Sequence, residues 1–186
     1  RIAIATDSSV RDLWEFESIN YIDSIILAPT YRALHSMGRL TVEQHLQILR
    51  LNDQTSGWTR DRLEYLTVEA VLAKSDPFDL PVLAAHPARK LYRLPHPAPR
   101  AGWLPEDRVL RMNAEATYAR LREADGECLI NSVMLPPTGR MGSANAPHAA
   151  LPLADERILK PAIYRRVAPD VIACKIKTEA PGVLRI

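Results

Sequence analysis

The sequence predicts an α+β chain, mainly helical lobes with a few short strands and long extended proline-rich segments. Three observations carry that expectation. Apolar residues recur at helical spacing in several stretches, the two ends read as short strands, and seven of the fifteen prolines fall between Asp76 and Pro105. Each proline fixes its own φ, removes an amide donor and biases the residue before it away from helix. That segment is therefore expected to hold neither a helix interior nor a central strand. Its apolar residues, among them Phe78, Leu83, Tyr92 and Trp103, need a surface to lie against. The resulting division is an N-terminal α/β lobe over 1–75, a connecting arm over 76–105 and a C-terminal α+β lobe over 106–186. One shared core is the compact alternative.

Taken in order, Arg1 to Thr6 alternates isoleucine with alanine and predicts a short buried strand. Ser9 begins a capping-box pattern for a helix carrying Val10, Leu13 and Trp14. Ser24 to Ala28 predicts a second strand. A short helix from Thr30 to Met37 follows, with Gly38 as its stop. Thr41 and Gln44 bracket another capping box, for a helix to about Leu51. Thr59 is placed to cap a helix in which Leu63, Leu66, Ala70 and Ala73 share a face as far as Lys74. Beyond the arm, Pro105 suits a first helical turn, and the helix it opens is expected to run to Asp125 with Gly126 as its stop. Cys128 to Leu135 reads as a strand, Asp155 to Lys160 as a helical turn, and Val171 to Lys177 and Val183 to Ile186 as strands.

The totals are those of an ordinary globular chain: 186 residues, 47% hydrophobic, 25% charged and a net charge of +2. Residues 1–75 hold 8 basic against 10 acidic side chains, the arm 4 against 2, and the remainder 12 against 10. No block has the dense positive charge of a dedicated nucleic-acid binder. Cys128 and Cys174 are too few for a disulfide framework and lack metal-ligand spacing, so reduced, buried thiols are expected. No apolar run is long enough to span a bilayer and no secretory leader is recognisable. An intracellular location, soluble or within an assembled particle, is the expectation.

Reactive motifs are sparse. His35, His45, His86, His96 and His148 are scattered, with no His-x-x-x-His pair to present two ligands on one helical face. Thr138 to Ser143 could form an anion-binding nest but lacks the Gly-Lys-Ser/Thr ending of a phosphate loop. No serine sits in a nucleophile elbow. No cofactor, metal or catalytic residue is assigned, and a non-enzymatic role is favoured.

One acid stands out. Asp7 follows the first strand, where open α/β sheets place metal-binding groups. The order strand, acid, polar turn, helix, strand, proline, helix over Arg1 to Leu34 resembles the opening of PIN-domain ribonucleases. That resemblance implies phosphodiester hydrolysis with divalent metal and Asp7 as first ligand. The plainer role for Asp7 is to cap the helix that follows.

The arm's Arg89, Lys90, Arg93 and Arg100, with Tyr92 and Trp103 as stacking surfaces, form the candidate interaction site. Extended arms and strand-like ends suit a subunit whose backbone groups pair with neighbours. The expected function is therefore a structural or interaction subunit of a larger multi-chain assembly. Its partners would be other protein subunits, homo- or hetero-oligomeric, with no membrane partner. A chain without an initiating methionine fits a processed shell or capsid component of a virion. Nucleic-acid binding through the basic arm and PIN-like ribonuclease activity are the alternatives.

Overall fold

A computed structural model describes residues 2–5, 28–39, 57–137, 158–168 and 171–186. Eleven strands and four α-helices occur among them, so the chain is a mixed α+β fold and not mainly helical. It divides into two compact units, residues 1–98 with 118–126, and residues 99–117 with 127–186.

In the first unit, strands β1 (Ile2–Ala5), β2 (Ala70–Ala73), β3 (Val82–His86) and β4 (Arg89–Arg93) form one sheet in the order β1-β2-β4-β3. β1 runs parallel to β2, while the β2–β4 and β4–β3 pairs are antiparallel. Val71, Ala73 and Tyr92 alternate onto one face and are buried. The expectation that the proline-rich arm holds no central strand is corrected, because β4 lies between two partners. Pro87 sits in the hairpin turn and Pro95 lies beyond the strand, so residues 88–94 keep every amide donor.

Past β4, prolines 95, 97 and 99 alternate with His96 and Ala98. The only two amides left between them both donate to Glu64: His96 N–H to the carboxylate at 2.9 Å and Ala98 N–H to the backbone carbonyl at 2.8 Å. A chain too rich in proline for a ladder is thus held by one buried residue of helix α2 (Arg60–Tyr65). The tight turn before β3 is tied similarly by Asp76, whose carboxylate accepts the Phe78 and Leu80 amides at 2.9 and 2.5 Å.

Helix α2 is much shorter than its apolar spacing suggested. Thr67 takes a left-handed φ of 59°; its N–H donates to the Glu64 carbonyl at 2.9 Å, and Val68 N–H donates to the Leu63 carbonyl at 3.1 Å. These two bonds, with Leu63 and Val68 fully buried against solvent, make a Schellman stop with threonine where glycine is usual. The chain then turns into β2, where Ala70 and Ala73 lie on a strand and not on the expected helix.

Helix α1 (Ala28–Met37) ends as expected near Gly38, although Arg39 is the residue that adopts the left-handed φ, at 51°. Ala28, expected on a strand, is the first residue of this helix. Two backbone ends converge on α2. The Arg62 guanidinium, 3% exposed, donates to the carbonyls of Met37 and Gly57 (3.0 Å) through one nitrogen. Its other nitrogen donates to Arg122 (2.8 Å) and Ala124 (2.7 Å). Met37 and Arg122 lie at the C-terminal ends of α1 and of α3 (Ala114–Glu123), whose last carbonyls lack helical donors. A cation there also complements both helix dipoles.

In the second unit, β5 (Gly102–Pro105) is the centre of the antiparallel order β11-β5-β8, with β8 at Lys160–Pro161 and β11 at Gly182–Arg185. Trp103 and Leu104 are buried there. Close approach requires Gly182, since a Cβ would strike the Trp103 indole and the Leu104 carbonyl. A single 3-10 turn over Glu106–Arg108 leads into β6 (Val109–Arg111), which pairs in parallel with β7 (Val133–Leu135). The helix expected from Pro105 therefore begins only at Ala114. Asn113 caps it, its side-chain oxygen accepting the Ala116 amide at 2.8 Å. Gly126 does not stop that helix but opens α4 (Gly126–Ile130), so Cys128 is helical and only Val133–Leu135 of the expected strand forms. Lys160 bridges β5, while Asp155 to Arg157 of the expected helical turn lie outside the described residues. β9 (Ile163–Ala168) and β10 (Val171–Lys175) form a separate two-stranded antiparallel ribbon.

The expected helices beginning at Ser9 and Thr41, the strand residues Ser24–Leu27, Asp7, and the Thr138–Ser143 loop lie outside the described residues. No helix among the described residues is long and apolar enough to cross a membrane.

Two substitutions test this account by urea denaturation. Arg62→Ala, which takes a donor from four carbonyls and leaves Arg122 only its 3.2 Å bond from Arg39, is expected to cost about 3 kcal/mol or more. Thr67→Gly, which removes a β-branched residue from the left-handed region together with its buried, unpartnered hydroxyl, is expected to stabilise by about 1 kcal/mol.

Candidate functional site

The sequence-selected residues are split between the two units. Arg89, Lys90, Tyr92 and Arg93 belong to the first unit, and Arg100 and Trp103 to the second. Along β4 the pleat sends Arg89 and Arg93 to one face and Lys90 with Tyr92 to the other. Tyr92 is 2% exposed, between Val71 of β2 and Val82 of β3. Trp103 is likewise buried, with the Lys160 ammonium 5.4 Å from its ring centroid. Neither ring offers a free face for a base. Both serve as core, because an aromatic on a central strand is the largest apolar surface available to cover the sheet. The Arg100 guanidinium lies 5.9 Å from the centroid of the Tyr164 ring, a cation–π contact within its own unit.

Among the described residues, Asp61 and Arg62, adjacent on α2, are the ionisable groups with shifted pKa values. Burial works against the Asp61 carboxylate. Hydrogen bonds from the Thr59 side chain and from the Gly126 amide (2.6 Å) nevertheless hold its pKa below the ordinary carboxylate value. Burial lowers the Arg62 pKa, and the neighbouring charge of Arg39 lowers it further. Both side chains are committed to backbone groups. A Cβ at Gly126 would fall on the Asp61 backbone, so the glycine is what lets this carboxylate reach the amide. These groups hold the fold.

Other expected chemistry is dispersed. His86 accepts the Ala88 amide at 3.3 Å within the β3–β4 turn, and the His35 ring lies 5.6 Å from that of Tyr31. His45 and His148 fall outside the described residues. Cys128 and Cys174 are not joined in a disulfide and are half-buried where buried thiols were expected. No group of three or more histidine, cysteine or acidic side chains is placed to hold a metal ion among the described residues.

What the fold does gather is exposed aliphatic surface on strands. Val82 and Leu83 lie on β3, every residue of which is exposed, at the edge of its sheet. Ile163 and Val167 lie on β9, Val171 and Ile172 on β10, and Leu184 on β11. Ile163 and Val167 are 69% and 61% exposed. A two-stranded ribbon has little stability of its own in water, and one carrying such residues needs a surface to pack on.

The ribbon could have been found in the sequence. Ile163-Tyr164-Arg165-Arg166-Val167 and Val171-Ile172-Ala173-Cys174-Lys175 flank Ala168-Pro169-Asp170, a β-run, breaker, β-run pattern. Only its second strand was expected, because two adjacent arginines obscure the alternation in the first.

No family model matches the chain, and comparison with curated proteins and with solved structures finds no match.

Asp61 gives a pH test. Its folded pKa lies below the unfolded one, so the ionised form stabilises the fold above the ordinary carboxylate pKa. That contribution is lost as pH falls through the lowered folded value. Wild type is expected to exceed Asp61→Asn by about 1 kcal/mol at neutral pH, and urea titrations at decreasing pH should show the gap closing below about pH 4.

Proposed function

We propose that the protein is a non-enzymatic interaction subunit of a larger multi-chain assembly, whose exposed apolar strands are covered by other protein surfaces. The observation that carries this reading is the placement of Val82, Leu83, Ile163, Val167, Val171, Ile172 and Leu184 on strands, each well exposed. Isolated surface aliphatics are ordinary, whereas aliphatics collected on an edge strand and on a two-stranded ribbon are what interfaces cover. An open strand edge also offers backbone donors and acceptors to an incoming chain. The buried state of Tyr92 and Trp103, and the opposite faces of β4 taken by Lys90 and by Arg89 and Arg93, favour this reading over nucleic-acid binding through the arm.

Two measurements test it. Ile163→Ser/Val167→Ser is expected to change stability by no more than about 0.5 kcal/mol, since the sites are exposed. The same variant should lose a substantial part of the wild type's binding of an apolar-surface dye. Amine cross-linking in the cells that make the protein should join Lys160, Lys175 or Lys177 to other polypeptides. Cross-links confined to this chain would overturn the proposal.

A further inference from the structure

We propose that the open face of the β9–β10 ribbon docks an acidic, aliphatic polypeptide surface, its carboxylates meeting Arg165 and Lys175 and its apolar side chains meeting Ile163. The inference rests on the interaction-subunit reading and names the chemistry of the partner.

The pairing register defines the face. Arg165 stands opposite Ala173, and Ile163 opposite Lys175, so these four side chains project to one side. All four are exposed. Their opposites, Tyr164 paired with Cys174, are half-buried, and Arg100 lies over the Tyr164 ring. One side of the ribbon is thus partly covered, whereas the other carries only exposed residues. Val167 sits at the bulge between the Val171 and Ile172 pairings and adds a second exposed aliphatic beside this face.

The charge on the face is one-signed. Arg165 and Lys175 occupy diagonal cross-strand positions, near enough for like charges to repel. Residues 160–177 contain five basic side chains and a single acid, Asp170. A pair of cations on an aliphatic ground is complemented by a surface that supplies both carboxylates and apolar contact.

The same features weigh against other anions. Membrane surfaces that bind through charge alone are read by clusters of about four to eight basic residues, more than this face presents. Nucleic acid would be met by few phosphate contacts, and bases stack on aromatic rings and not on isoleucine or valine.

The test uses the whole chain and a fluorescein-labelled peptide of alternating valine and glutamate. Binding is expected, weakening with salt, and the double charge reversal Arg165→Glu/Lys175→Glu should raise its Kd at least about tenfold. That variant should in turn bind the valine–lysine peptide, with circular dichroism unchanged. Absence of valine–glutamate binding overturns the proposal, as does binding indifferent to the charge reversal. Preference for phosphatidylglycerol vesicles or for oligothymidylate also overturns it. If the peptide fails while Lys160, Lys175 or Lys177 still cross-links to other polypeptides in cells, the acidic partner is wrong and the interaction-subunit reading stands.

Discussion

The Arg62 guanidinium is the interaction on which the first unit depends. It is nearly sealed from water, yet its bonds run to four carbonyl oxygens and to no carboxylate. An arginine can serve in this way because its fork presents five donors in fixed directions, enough to satisfy several acceptors at once. The acceptors come from the ends of two helices and from Gly57. A short α2 thereby joins backbone segments that are far apart in the sequence. Asp61, one residue earlier, receives the Gly126 amide, and Glu64, two residues later, receives the two amides of the proline run. Three residues of one six-residue helix, Asp61, Arg62 and Glu64, thus direct polar groups at main chain.

That arrangement explains how a chain with few aromatic residues and many prolines can still be well packed. Proline segments leave few donors, and the remaining ones must be met individually since no ladder can collect them. Glu64 does so with both its carboxylate and its backbone oxygen. The apolar residues of the region then follow the backbone into place, and Leu94 and Ala98 are buried beside it. In the second unit the equivalent task is done by sheet pairing, with β5 flanked on both sides and Trp103 inserted into the core.

Local signals were legible where one residue type decides a structure. The Ile–Ala alternation of β1, the end of α1 near Gly38, and the strands at Val171 and Val183 all follow from composition. Apolar spacing overstates helix length at α2 and α3 for related reasons. At α2 the stop is a threonine in a left-handed conformation, which short-range preference assigns against. At α3 Val109 and Leu110 fit the helical stripe but pair with β7, a partner more than twenty residues onward. Tertiary pairing outweighs local spacing there. Prolines were overweighted as well: they bracket β4 and β5 closely without entering the paired interior, and Pro105 is accommodated at a strand end. The candidate site suffered most, because burial and strand face, which separate Tyr92 from Lys90 as a usable contact, are properties of the sheet and not of the segment.

The mixed sheet of the first unit also implies an order of assembly. β2, β3 and β4 come from one continuous stretch, residues 70–93, and their antiparallel joins close short loops. β1 is different, for Ile2 pairs with Ala70 across the whole of the intervening chain. Loop-closure entropy grows with that separation, and nothing local rewards the encounter before α2 and β2 are in position. The meander is therefore a template that forms early, and β1 is a late arrival at its open edge. The strand that precedes the meander in the chain is the last to find its neighbour.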